Sequence, residues 1–205
     1  MGCSSSSSRA SYVAYDRDFV LAQIRPTPIV LYFAHEELKH DREFVKLCVE
    51  QQGLALRFAL PVMQQDKDVV MAAVKQYGLA LEYAHSSLRE DDDIVMAAVM
   101  QQGIALKYAH TSLKEDDDIV MAAVMQNGLA LKYARDDLTD HHEIVLAAVR
   151  QNGLSLRYAH RTMRQNYEVV AAAVQQNGDA LEFAYESLKE DVVLIAIATG
   201  LQFLV

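Results

Sequence analysis

At 205 residues and 52% apolar content, the chain is long and hydrophobic enough to bury a substantial core as one elongated domain. Its net charge of −9 argues against nucleic acid as a partner, because phosphate recognition needs a basic face. No apolar run reaches the roughly 18 residues of a spanning helix, and two cysteines, Cys3 and Cys48, imply no disulfide framework.

In chain order, the first feature is Met1-Gly2-Cys3-Ser4-Ser5-Ser6, which fits the M-G-x-x-x-[ST] pattern for N-myristoylation of Gly2 once Met1 is removed. A single myristoyl chain holds a membrane only marginally, so a second signal is needed. Cys3 supplies a candidate palmitoylation site, whereas Arg9 stands alone among serines and makes no polybasic patch. The plain alternative is a disordered, low-complexity start. Residues 1–11 are therefore expected as a Ser-rich segment, a candidate acyl anchor, ahead of a single helical-repeat domain over 12–205. The N-terminus lacks the apolar core of a secretory signal, so the expected location is the cytoplasm or the cytoplasmic face of a membrane.

A strict period follows. Gly53, Gly78, Gly103, Gly128, Gly153 and Gly178 are each 25 residues apart, the signature of a solenoid or array. A glutamine stands two places before each glycine, at Gln51, Gln76, Gln101, Gln126, Gln151 and Gln176. An acidic residue opens each unit at Asp16, Asp41, Asp66, Asp91, Asp116 and Asp191, with His141 and Asn166 in two of them. After each glycine come a leucine, an aromatic (Phe58, Tyr83, Tyr108, Tyr133, Tyr158, Phe183) and an alanine.

This pattern predicts two short helices per unit. Asp91 to Asp93 caps the first and places negative charge where the helix dipole favours it. Gly103 then reads as a left-handed C-terminal cap. Leu106, Ala109 and Leu113, at i, i+3 and i+7, give the second helix one apolar stripe. Isolated helices need about 12 to 15 residues to be even marginal, so such units are stable only when stacked. The terminal units are degenerate, as capping repeats are. Arg25-Pro26-Thr27-Pro28 replaces the Gln-x-Gly turn at one end, and Val192 to Val205 stops after one apolar helix at the other. The fold class is thus an all-α solenoid of 25-residue two-helix repeats.

The most variable positions of the first helix lie seven and three residues before each glycine, on one face. In the middle repeats they are Met96, Met100, Met121 and Met125. Two readings stay open: methionine filling gaps in the core, or an adaptable groove for a partner helix. Charged residues at equivalent positions (Lys46, Glu50, Lys75, Arg150) show that the face tolerates solvent, which makes the strip the candidate contact surface. His35, His85, His110 and His160 share one register, but stacked repeats put equivalent atoms about 8 to 10 Å apart, too far to share a metal. The acidic runs Glu90 to Asp93 and Glu115 to Asp118 lack the glycine and spacing of a calcium loop, so no metal site is assigned. The glutamines are expected to bridge backbone groups at the helix corner. Cys48, where the other regular units carry alanine, reads as a small buried thiol.

The skeleton D-x-[DE]-[IVF]-V-x-A-A-V-x-Q-x-G-x-A-L-x-[YF]-A, as in Asp116 to Ala134, resembles the repeats of the domain of unknown function 4116 family, over roughly Asp16 to Asp191. The resemblance implies an all-helical tandem-repeat protein and brings no activity, cofactor or catalytic residue with it. The chain departs from the pattern in its proline-bearing first unit and at Pro61, which is expected to shorten the second helix there. No catalytic triad order, phosphate loop, H-E-x-x-H or C-x-x-C is present. The resulting expectation is a non-catalytic interaction module or scaffold for a protein partner, with acyl chains as a route to the membrane and with no cofactor, nucleic acid or small-molecule substrate. The rivals are a structural spacer without a specific ligand and, least favoured, an enzyme.

Overall fold

The computed structural model describes residues 17–200. All regular structure among them is helical, without a strand. The chain divides into two compact units, Met1–Gln101 and Gln102–Val205. The first carries the long helices α1 (Arg17–Gln23), α2 (Arg42–Gln51), α3 (Lys67–Gln76) and α4 (Asp92–Gln101). The second carries α5 (Asp117–Gln126), α6 (His142–Gln151), α7 (Tyr167–Gln176) and α8 (Val192–Thr199). α2 packs on α3 and α3 on α4 in the first unit; α5, α6, α7 and α8 stack in that order in the second.

The long helices start where their caps dictate. The Asp41, Asp66 and Asp116 carboxylates accept from the backbone N–H groups of Phe44, Val69 and Ile119 at 3.0, 3.0 and 2.9 Å. Asn166 does the same for Val169 at 3.2 Å. Each satisfies one of the orphan donors of the first turn. The buried set then recurs: Val69, Val70, Ala73 and Val74 in α3, and Ile119, Val120, Ala123 and Val124 in α5. Alanine at the third of these positions lets neighbouring helices approach, and Cys48 fills the same slot with no exposed surface. Burial pushes its thiol up from 9.0 to about 12.

Beyond the long helix the structure refines the two-helix reading. The glycine opens a six-residue 3₁₀ helix (Gly53–Phe58 and Gly78–Tyr83 in the first unit, Gly103–Tyr108 onward in the second). The following alanine is extended, and a third short helix begins separately, as at Ser86–Arg89 or Thr111–Lys114. The break has a local cause. The His85, His110 and His160 imidazoles accept through Nδ1 from the N–H two residues on, at 3.3, 3.3 and 3.4 Å, and so start a new helix. In the Gly53 unit Pro61 does this as the first residue of Pro61–Gln64. Leu106 and Leu113 remain buried although two elements now carry them, and so does Ala109 in the extended link between.

The glycines are a correction. None of the six is left-handed; among the described residues only Gly200 has positive φ, at 69°. What Gly53 requires is room: a Cβ there would lie 2.5 Å from the Ala73 carbonyl oxygen and 2.8 Å from the Tyr77 Cβ. At Gly103, Gly128, Gly153 and Gly178 the obstacle is the equivalent carbonyl of Ala123, Ala148, Ala173 and Ala198. The glutamines explain the close approach. Gln76 Oε1 accepts from Gly53 N–H at 2.5 Å and Gln101 Oε1 from Gly78 N–H at 2.7 Å. In the second unit Gln126, Gln151 and Gln176 serve Gly103, Gly128 and Gly153 at 2.6, 2.6 and 2.5 Å. The glutamine thus bridges backbone groups of successive repeats, and the Gln-x-Gly spacing is a lock between layers.

Candidate functional site on the long-helix face

Each long helix buries one side in the stack and turns the opposite side outward. In α2 to α7 the outward positions are those seven, six and three residues before the glycine, except that Leu146 in α6 is buried. In α4, Met96 is half-buried and Met100 is 66% exposed; in α5, Met121 is half-buried and Met125 is 67% exposed. Within each helix the two methionines are one turn apart on the outward face. The pairs belong to different units, so each is a separate feature.

Both units are concave on this face. In the first, a depression of about 250 Å³ between α2 and α3 is lined by Lys46, Glu50, Asp68, Met71, Ala72 and Lys75. In the second, one of about 720 Å³ over α6, α7 and α8 is lined by Arg150, Tyr167, Glu168, Ala171, Ala172, Gln175, Gln176 and Ile197. Ala171, Ala172 and Ile197 supply apolar lining. Small residues there open the groove, and Arg150 and Glu168 place a cation and a carboxylate on its walls. This is the surface an amphipathic segment needs: apolar contact below, hydrogen-bonding groups at the rim.

The other edges are taken up by structure. At the helix starts of the first unit, Arg17 pairs with Asp41 at 2.9 Å, Arg42 with Asp66 at 2.6 Å and with Asp68, and Lys67 with Asp91 and Asp93 at 2.8 and 3.1 Å. Each cation reaches the cap of the next repeat. The hydrogen bond from Arg42, together with the backbone N–H of Val69, holds the Asp66 carboxyl below its ordinary value against the opposing effect of burial. On the 3₁₀ side the half-buried aromatics alternate with cations. Arg57 lies 5.6 and 5.8 Å from the Phe58 and Tyr83 rings, Lys132 5.7 and 5.9 Å from Tyr133 and Tyr158, and Arg157 5.1 and 5.5 Å from Tyr158 and Phe183. The sequence signal for this ladder is a basic residue directly before the aromatic. Glu82 and Glu182 break the pattern.

The recurring histidines therefore cap helices. Among the described residues no three His, Cys, Asp or Glu side chains converge as a metal site would require. No described helix is long and apolar enough to cross a membrane. Gly2 and Cys3, the candidate acylation sites, lie outside the described residues.

With this geometry in hand, comparison with known proteins gives one finding. The family model described as "Domain of unknown function (DUF4116)" matches residues 16–64, 66–114, 101–139 and 141–189, four overlapping tandem segments. No curated protein and no solved structure matches the chain.

Proposed function

We propose that this chain, which belongs to the domain of unknown function 4116 family, is a non-catalytic interaction module in which each unit presents its own outward long-helix face to a protein partner. The observation that carries the reading is the exposure of Met100 and Met125, 66% and 67%, at equivalent positions of two helices whose inner sides are buried. A large apolar side chain that adds little to the core and recurs at one outward register fits a contact surface better than a packing role. The apolar lining supplied by Ala171, Ala172 and Ile197 extends the same chemistry within the second unit. A spacer without a ligand would be expected to carry charge at these positions, as Lys75 and Arg150 do in neighbouring repeats.

The test is quantitative affinity capture from cells of the source organism with three baits: the wild type, Met100→Glu/Met125→Glu, and Lys107→Glu/Lys132→Glu on the opposite edge. A protein retained by the wild type and the edge variant but depleted at least tenfold with the methionine variant supports the reading. Recovery unaffected by the methionine change overturns it. Far-UV circular dichroism should be the same for all three, because the substituted side chains are exposed or half-exposed.

The Met1-Gly2-Cys3 start favours a membrane-tethered form of the same module, with myristate on Gly2 and palmitate on Cys3. Intact mass and membrane fractionation of the wild type and Gly2→Ala, made in a eukaryotic host with both transferases, test this. The expected result is a mass gain and membrane retention that the variant loses.

A further inference from the structure

The 3₁₀ side of the second unit is segregated in charge. Gly103–Tyr108, Gly128–Tyr133 and Gly153–Tyr158 read GIALKY, GLALKY and GLSLRY, so each carries one cation (Lys107, Lys132, Arg157) and no carboxylate. The chain around them is acidic, with a net charge of −9. All three cations are exposed, and among the described residues none of them forms an ion pair; their contacts are with the half-buried rings. Other charges nearby in the repeats are matched: Arg135 holds Glu115 at 3.0 Å, and His160 faces Asp140 at 3.4 Å. Packing does not demand a cation in the ladder slot, since Glu82 and Glu182 occupy it before Tyr83 and Phe183. In the first unit Arg57 is followed one repeat on by Glu82, so charge alternates there. Three like charges on successive repeats repel one another and form a positive row without a counter-charge.

From this we infer that the row binds an extended acidic peptide, one Asp or Glu side chain meeting each of Lys107, Lys132 and Arg157. The spacing fits. Successive 3₁₀ helices of the unit pack on one another, and packed helices lie about 8 to 10 Å apart. Every third residue of an extended chain recurs at about 10 Å. The cations are also held ready: Lys132 lies 5.7 and 5.9 Å from the Tyr133 and Tyr158 rings, and Arg157 5.1 and 5.5 Å from Tyr158 and Phe183. Long side chains steadied in this way lose less freedom when a carboxylate arrives. A nucleic-acid strand is the other polyanion of regular spacing, but its bases need open ring faces on which to stack. Here each ring is half-buried with a cation against it. Asp179 and Glu182 in the next 3₁₀ helix, Gly178–Phe183, end the row and limit it to three contacts.

The probe is a fluorescein-labelled Gly/Ser peptide with Glu at every third position, titrated with the full chain and read by fluorescence polarisation. Exposed ion pairs are individually weak, so saturable binding with a midpoint of about 100 µM is expected at low salt. It should fade as ionic strength rises from about 0.05 M to about 0.3 M. Lys107→Glu/Lys132→Glu should weaken it by about tenfold or more with unchanged circular dichroism, because attraction becomes repulsion. The same peptide with Gln for Glu should bind as weakly to the wild type. Arg57→Glu, which removes the same kind of ring contact in the first unit, should leave binding unchanged. Met100→Glu/Met125→Glu should also leave it unchanged, which separates this site from the long-helix face. No saturable binding of the Glu peptide overturns the inference, as does binding indifferent to the lysine variant. An oligothymidine strand bound more tightly than the peptide overturns it too.

Discussion

Replacing Gly53 by alanine tests the lock between repeats. A methyl carbon needs roughly 3.3 Å from a carbonyl oxygen, yet the new Cβ would sit 2.5 Å from the Ala73 oxygen and 2.8 Å from the Tyr77 Cβ. Neither obstacle is the free end of a flexible side chain, so the layers must part. Overpacking of this kind costs about 1 to 3 kcal/mol. Parting the layers also breaks the 2.5 Å hydrogen bond from Gly53 N–H to Gln76, and an orphaned buried donor costs about 1 to 3 kcal/mol more. A total of about 2 to 6 kcal/mol is expected, read from the urea midpoint by far-UV circular dichroism. Gln76→Ala, which loses the bond without the clash, should cost about 1 to 2 kcal/mol. Gly200→Ala is the contrast. Its φ of 69° demands a left-handed residue, but nothing lies within 4 Å of a Cβ, so only backbone strain of about 1 kcal/mol applies. If Gly53→Ala were as mild as Gly200→Ala, the steric account of the repeat glycine would be wrong.

Three other outcomes follow from the same structure. Ser155 is fully buried and its hydroxyl has no hydrogen-bond partner, where the equivalent Ala130 and Ala180 have none to satisfy; Ser155→Ala should stabilise by about 1 kcal/mol and raise Tm by about 2 to 4 °C in a scanning-fluorimetry melt. Because the Cys48 thiol is pushed up from 9.0 to about 12 in the folded chain, its share of stability is present below pH 9 and lost as pH rises toward 12; Cys48→Ala should therefore lose less stability than the wild type over that alkaline window, and in a Cys3→Ser background Cys48 should react with an alkylating agent only on unfolding. Asp66, held below its ordinary value by Arg42, contributes stability that is present above pH 3.8 and lost as pH falls below it, so Asp66→Ala should cost about 1 to 2 kcal/mol at neutral pH and little in strong acid; a cost independent of pH would remove the ion pair and cap from the explanation.

The sequence by itself determined the repeat, its period and its helical class, because periodicity survives without knowing where a residue lands. Asp at the start, Val-x-x-Ala-Val through the helix and Leu after the glycine need only local geometry and one buried side to be read. It also marked the outward register, since Met96 and Met100 in one helix and Lys46 and Glu50 in another differ in chemistry but keep the same spacing. What it could not supply were relations between one repeat and the next, 20 or more residues apart. Gly53 reads locally as a helix cap, yet its reason is the Ala73 carbonyl one layer on, and Gln76 answers to that glycine and not to its own turn. The histidine register was legible and its spacing argued against a shared metal, but only the backbone shows His85 starting a helix. The cations at Arg57, Lys132 and Arg157 were visible, but only stacking places each beside two rings. Tertiary structure likewise decided that Ile195, identical in register to seven fully buried valines, stays partly in solvent, because burial depends on what packs alongside a residue and not on its place in the repeat.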